Sequence, residues 1–164
     1  MMIKIGVADG FPGGLSFAEG LEAAAQCARW GFDALEISQG LRERYYAETE
    51  FRTGVDHPGR DAYFRPWCAK VKTRVEVPVL MVGGMRNLET MAAVVAGGEA
   101  DFVSLCRPLI REPDLIRLWE EDPRRKPACI SCNRCFDDLL SLKPLACAAA
   151  GRSHAPPPGR GGSR

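Results

Sequence analysis

Four short apolar runs, MIKIGVA, FDALEIS, PVLMV and ADFVSLC, are spaced along the chain with a helical stretch between each and the next. Runs of this length, rich in branched side chains, suit strands, and strands separated by helices pair in parallel through crossover connections. Those connections are right-handed by default. The helical stretches carry their own punctuation. Ser16 and Glu19 in SFAE have capping-box spacing, in which hydroxyl and carboxylate each satisfy a free backbone N–H at a helix start. Leu21, Ala24, Ala25 and Ala28 follow at helical spacing, and Gly31 stands where a left-handed residue ends such a helix. A second helix is expected over 61–74, interrupted near Pro66. Asn87 caps a third, which holds Leu88, Met91, Ala92 and Val95 and closes at Gly97 and Gly98. Pro113 lies in the first turn of a fourth, DLIRLWEE. Residues 39–60, with the breakers Gly54, Pro58 and Gly59, form a long polar connection of the kind that often serves function.

A chain of 164 residues is too short for a complete eight-stranded barrel. With 46% apolar residues it has enough material for a core, while a net charge of +1 provides too weak a field for a general nucleic-acid binder. No apolar run approaches the roughly 20 residues that span a bilayer, and MMIKIGVADG has no signal-peptide pattern. The expectation is a soluble, cytoplasmic protein that binds no membrane. Seven cysteines without a secretory signal point to reduced thiols, some of them on a metal, and not to a disulfide framework.

In parallel α/β architectures ligands gather beyond the carboxyl ends of the strands. The third strand ends in VGGM and the fourth in LCRPL. Gly83 and Gly84 let backbone N–H groups approach an anion, the following helix adds its positive end, and Arg107 is placed to fork onto the same oxygens. The same residues also suit a plain tight turn and a solvated charge, and spacing alone leaves the two readings even. Cys129, Cys132, Cys135 and Cys147 read C-x2-C-x2-C-x11-C, which suits an iron–sulfur cluster, a structural zinc or simply reduced thiols. Cys106 reads as a small buried filler. His57 and His154 read as exposed bystanders, and Asp9 and Glu36, at the ends of the first two strands, as rim or capping carboxylates.

The run VPVLMVGGMRNLETMAAVVAGGEADFVSLCRPLIREPDLIRLWEEDPRRKPACISCNRCF closely resembles the C-terminal half of the Old Yellow Enzyme family, in particular its dienoyl-CoA reductase branch. IKIGVADGFPGGLSFAEGLEAAAQCARWGFDALEISQG resembles the same family's fifth strand, fifth helix and sixth strand, so the likeness covers about residues 2–147. The resemblance implies an α/β fold, a partial TIM barrel made of strands five to eight, with a Cys-rich C-terminal extension. It implies FMN as cofactor, with NADH or NADPH as hydride source. Lys4 matches the basic residue set against the flavin ring, Gly83 and Gly84 the phosphate turn, and Arg107 the phosphate-gripping arginine. Cys106 stands where the family usually has glycine. In the branch with a four-iron, four-sulfur cluster the thiol spacing is C-x2-C-x3-C-x11-C, one residue longer than here between the second and third thiols.

The expected organisation is a half-barrel over 1–122 carrying the FMN-phosphate side, a Cys-rich segment over 123–150 and a disordered tail over 151–164. Its catalytic acid would lie on strands before the fifth. Four βα units leave two open sheet edges, so a complementary N-terminal half-barrel or a second copy is expected as partner, beside a small-molecule substrate. Three functions stay open: a segment of an oxidoreductase passing hydride through FMN to an electron-poor alkene, a non-catalytic phosphate-binding half-barrel with a metal-stabilised docking element, and a truncated fragment.

Overall fold

A computed structural model describes residues 1–41, 50–57 and 59–150. The tail expected over 151–164, with His154, and part of the long connection lie outside the described residues. Four strands, β1 (Met2–Gly6), β2 (Ala34–Ser38), β3 (Val79–Met81) and β4 (Phe102–Val103), form one parallel sheet in the order β1-β2-β3-β4. Helices α1 (Phe17–Arg29), α2 (Arg65–Lys72) and α3 (Leu88–Ala96) connect them, and α4 (Arg107–Arg111), α5 (Leu115–Glu121) and α6 (Arg134–Leu140) follow the last strand.

Local chemistry explains most of the boundaries. Ser16 and Glu19 form the capping box, with Ser16 N donating to Glu19 Oε2 at 2.9 Å. Gly31 takes the left-handed conformation that ends α1, at φ +90°. Asn87 caps α3 by accepting from Thr90 N at 2.7 Å. The second helix begins later than expected, because Pro66 sits in its first turn and does not interrupt it; the missing N–H costs nothing there. Pro113 likewise precedes the Asp114 cap of α5 instead of lying inside the helix. The fourth strand is shorter than ADFVSLC. It lies at the sheet edge with a neighbour on one side only, and Asp101 N and Ser104 N each add a bond to β3 carbonyls at 2.8 Å.

The two faces of the sheet differ. Leu35, Ile37, Val79 and Met81 are fully buried and pack with Ala24, Phe64, Cys68, Val71 and Val94 from the helical layer. The other face carries the register row Lys4, Glu36, Leu80 and Phe102, since paired residues in a sheet point to the same side. Phe102 is 57% exposed and Met2 58%. The helical layer therefore covers β3 on one face only. Helix α1 sits so close to the chain after β1 that a side chain at Gly20 would stand 1.9 Å from the Val7 carbonyl oxygen.

Two consequences follow for stability. Gly20→Ala forces α1 off the sheet, and urea denaturation should show a loss of about 1–3 kcal/mol. Asp101 accepts from Val79 N at 2.7 Å and from Lys72 at 2.8 Å. Burial raises its carboxyl pKa, but the bonds from Lys72 and Val79 outweigh this and hold it below the ordinary value. A lowered carboxyl stabilises the fold above the usual aspartate range and loses that contribution as pH falls through the folded value. The stability deficit of Asp101→Asn relative to wild type should therefore be full at neutral pH and shrink as the solution is acidified below about pH 4.

Candidate functional site

The carboxyl ends of β1, β3 and β4 converge on a cavity of about 260 Å³ bordered by Lys4, Gly84, Arg86, Ser104, Arg107 and Asn133, among others. Its floor is the turn after β3. Gly83 and Gly84 both have positive φ, +103° and +76°, conformations that side chains rarely adopt. Their missing side chains do not face the cavity: a Cβ at Gly83 would lie 2.6 Å from the Phe64 ring, and one at Gly84 2.9 Å from the Tyr63 ring. The glycine pair is thus required by the close approach of residues 62–64, whose Ala62 and Tyr63 N–H groups donate to the Gly84 and Gly83 carbonyls at 3.3 and 3.2 Å. The sequence alone gives no sign of this packing reason for the two glycines.

Arg107 is the first residue of α4, half-buried at the cavity wall. Its Nη1 donates to the Arg52 carbonyl at 2.7 Å and to Asn133 Oδ1. Among the described residues no carboxylate pairs with it, and Nε and Nη2 have no protein partner. An arginine held by neutral acceptors keeps its charge for a ligand. Cys106, just before it, has an ordinary φ of −131°, so the cysteine in place of the family's glycine imposes no left-handed strain. Its side chain is exposed, not a buried filler.

Lys4 bonds to the Glu36 carboxylate, whose other oxygen accepts from Ser104 Oγ at 2.7 Å. Glu36 therefore lies mid-strand in a bridging pair, not on a rim. Burial raises its pKa, and the bonds from Lys4 and Ser104 more than offset this, leaving it below the usual carboxylate range. Asp9 is a loop carboxylate as expected, accepting from Leu15 N and Leu41 N at 2.8 and 2.6 Å. His57 is exposed.

Three contributors escaped the sequence reading. Arg86, only 8% exposed, donates from Nη1 to Ser131 Oγ at 3.0 Å and from Nη2 to the Pro127 and Cys129 carbonyls. It stands two residues after Gly84, but its partners lie more than forty residues on, beyond any local pattern. Tyr63 lines the cavity with its hydroxyl donating to the Glu50 carbonyl at 3.2 Å and the Arg52 guanidinium over its ring at 4.7 Å. Burial pushes its phenol up, against the pull of the Arg107 and Arg52 charges. Glu50 brings a carboxylate to the same cavity, and its buried Oε2 has no hydrogen-bond partner among the described residues.

The four thiols named for a metal are not drawn into one ligand set among the described residues. Among the described residues no three His, Cys, Asp or Glu side chains are grouped to hold an ion. Cys129 is buried and accepts from Ser131 N, Cys135 lies in α6, and Cys147 Sγ stands 3.9 Å from Arg111 Nη1. Between the first three thiols, Ser131 and Asn133 take left-handed backbone conformations, at φ +53° and +60°, with their side chains bonded to the two arginines. The loop is folded around these guanidinium contacts.

No family model matches the chain. It is 25% identical over 157 residues to a metal reductase of Desulforamulus reducens, covering 93% of this chain and 23% of that protein. It is 32% identical over 124 residues to an NADH oxidase of Thermoanaerobacter brockii (74% and 18%). It is 28% identical over 101 residues to an NADH-dependent flavin oxidoreductase of Talaromyces variabilis (59% and 24%). The chain thus spans about a quarter or less of the length of these relatives. A solved 2-naphthoyl-CoA reductase, in complex with 2-naphthoyl-CoA, superposes with a TM-score of 0.72 at 22% identity, covering 88% of this chain and 22% of that one. These relatives are consistent with an Old Yellow Enzyme-like flavin oxidoreductase, and the superposition gives the chain the fold of part of such a barrel.

Proposed function

We propose that this chain is the cofactor-phosphate side of an FMN-dependent oxidoreductase that passes hydride from NADH or NADPH to an electron-poor alkene or a similar acceptor. The observation that carries the reading is Arg107, a guanidinium at the end of the last strand whose described partners are neutral and whose Nε and Nη2 are left for an anion at the cavity wall. When bound, the flavin supplies the capacity to take up hydride from a nicotinamide and release it to the acceptor.

The residues of this chain bind and orient. Arg107 takes the phosphate, and the turn at Gly83 and Gly84 shapes the floor beneath it. Glu50 Oε2, buried with no partner among the described residues, accepts from a hydroxyl of the polyol chain that joins phosphate to ring. Lys4, steered by its bond to Glu36, would hold the ring end, where a cation favours the electron-rich form. No step is assigned to an iron–sulfur cluster. We propose that a complementary half-barrel or a second copy supplies the remaining wall of the site, in a cytoplasmic setting; the exposed Met2 and Phe102 and the open edges of β1 and β4 support this reading.

The test is retention of FMN by the purified chain, alone and with the matching upstream half of a relative, followed by flavin fluorescence and by bleaching of the yellow band on addition of NADH. Arg107→Ala should weaken FMN binding by about 1.5–3 kcal/mol, the loss expected for a hydrogen bond to a charged group. Unchanged affinity would reject the role given to Arg107. Phosphate binding without flavin retention in either setting would favour a non-catalytic phosphate-binding module.

A further inference from the structure

The CISCNRC segment is held to the half-barrel by two arginines, one near each end. Arg86 grips the first part through Ser131 Oγ and the Pro127 and Cys129 carbonyls, and Arg107 meets the second part through Asn133. Both side chains that answer them, Ser131 and Asn133, sit on left-handed backbone. Asparagine is one of the few non-glycine residues that tolerates that conformation readily.

The Asn133 amide is used at both ends. Its Oδ1 accepts from Arg107 Nη1, while its Nδ2 donates to the Phe51 carbonyl at 2.7 Å. Phe51 in turn stacks on Phe136 of α6, centroids 4.6 Å apart. The amide therefore bridges the long connection and the Cys-rich segment across the cavity mouth, and the guanidinium is anchored between the Arg52 carbonyl and this bridge. A free arginine side chain samples many rotamers; one anchored through Nη1 presents its remaining N–H groups in a single direction. Aspartate here would supply a competing charge, and alanine would leave Nη1 with one partner fewer.

From this geometry we propose that Asn133 is a positioning residue for Arg107, so that the Cys-rich segment serves anion binding by aiming the arginine, independently of any metal. The inference rests on the reading of Arg107 as the phosphate-binding residue. Its effect passes through Arg107, since Asn133 is assigned no contact of its own with the anion. By reciprocity, an anion on Arg107 also steadies the segment.

The experiment is a double-mutant cycle on the full chain, with FMN affinity read by flavin fluorescence for wild type, Asn133→Ala, Arg107→Ala and the double variant. Asn133→Ala should weaken FMN roughly threefold to tenfold, the range for one neutral hydrogen bond. The double variant should bind no more weakly than Arg107→Ala alone. Asn133→Asp, close in size to wild type, should bind more weakly than Asn133→Ala, because its carboxylate pairs with the guanidinium. Wild-type affinity in Asn133→Ala, or additive losses in the double variant, would overturn the proposal. A second readout needs no ligand: amide hydrogen exchange over residues 131–136 should quicken in Arg107→Ala as it does in Asn133→Ala. If Arg107→Ala leaves that protection intact, the contact is idle and the proposal fails. Should wild type bind no FMN, the functional reading falls by itself, while the exchange comparison still decides whether Arg107 and Asn133 act as a pair.

Discussion

A guanidinium whose protein partners are neutral is the constraint around which this molecule is arranged. Arg107 is anchored by a backbone carbonyl and a side-chain amide, both acceptors without net charge, and the cavity lies on its remaining side. Had a carboxylate taken that place, the charge would be spent inside the protein and the cavity would have little hold on an anion. The segments around the mouth each contribute to this arrangement. Residues 50–52 supply carbonyls, the Cys-rich segment supplies Asn133, and Tyr63 stands beneath Arg52. Arg86 plays the companion part, buried and used entirely to seat the segment that carries Asn133.

The sheet presents two unlike faces. One face is closed by α1, α2 and α3 into a continuous core, while the row Lys4, Glu36, Leu80 and Phe102 faces away from the helices. Parallel sheets are seldom left with an apolar face in water, and open edges invite pairing. The Lys4–Glu36–Ser104 bridge gives this face one polar feature amid Leu80, Phe102 and Met2. That combination of an apolar lining with a few placed polar groups is the composition of a binding-site wall.

Much of this was legible along the chain. Ser16 with Glu19, Asn87, and Gly31 act through bonds to residues at most a few positions away, so their patterns predict their structure. Pro66 and Pro113 were seen, but placed a turn too deep, because proline restricts the start of a helix without stating which residue the start will be. Glu36 was misplaced for a different reason: Lys4 comes from the adjacent strand and Ser104 from the turn after β4, so only the folded sheet brings them to it. Cys106 has no local signal separating a buried filler from an exposed thiol.

The sequence by itself determined the alternation of strands and helices, the parallel sheet, and the presence of glycines and an arginine at the ends of β3 and β4, since periodicity and turn chemistry are local. Tertiary structure alone decided what those residues do. It set the glycine pair against Tyr63 and Phe64, turned Arg86 and Arg107 toward a segment far along the chain, and drew Ser131 and Asn133 into arginine contacts. The physical reason is that spacing records which groups are near one another along the backbone, whereas the direction of a long side chain depends on which acceptors folding brings within its reach.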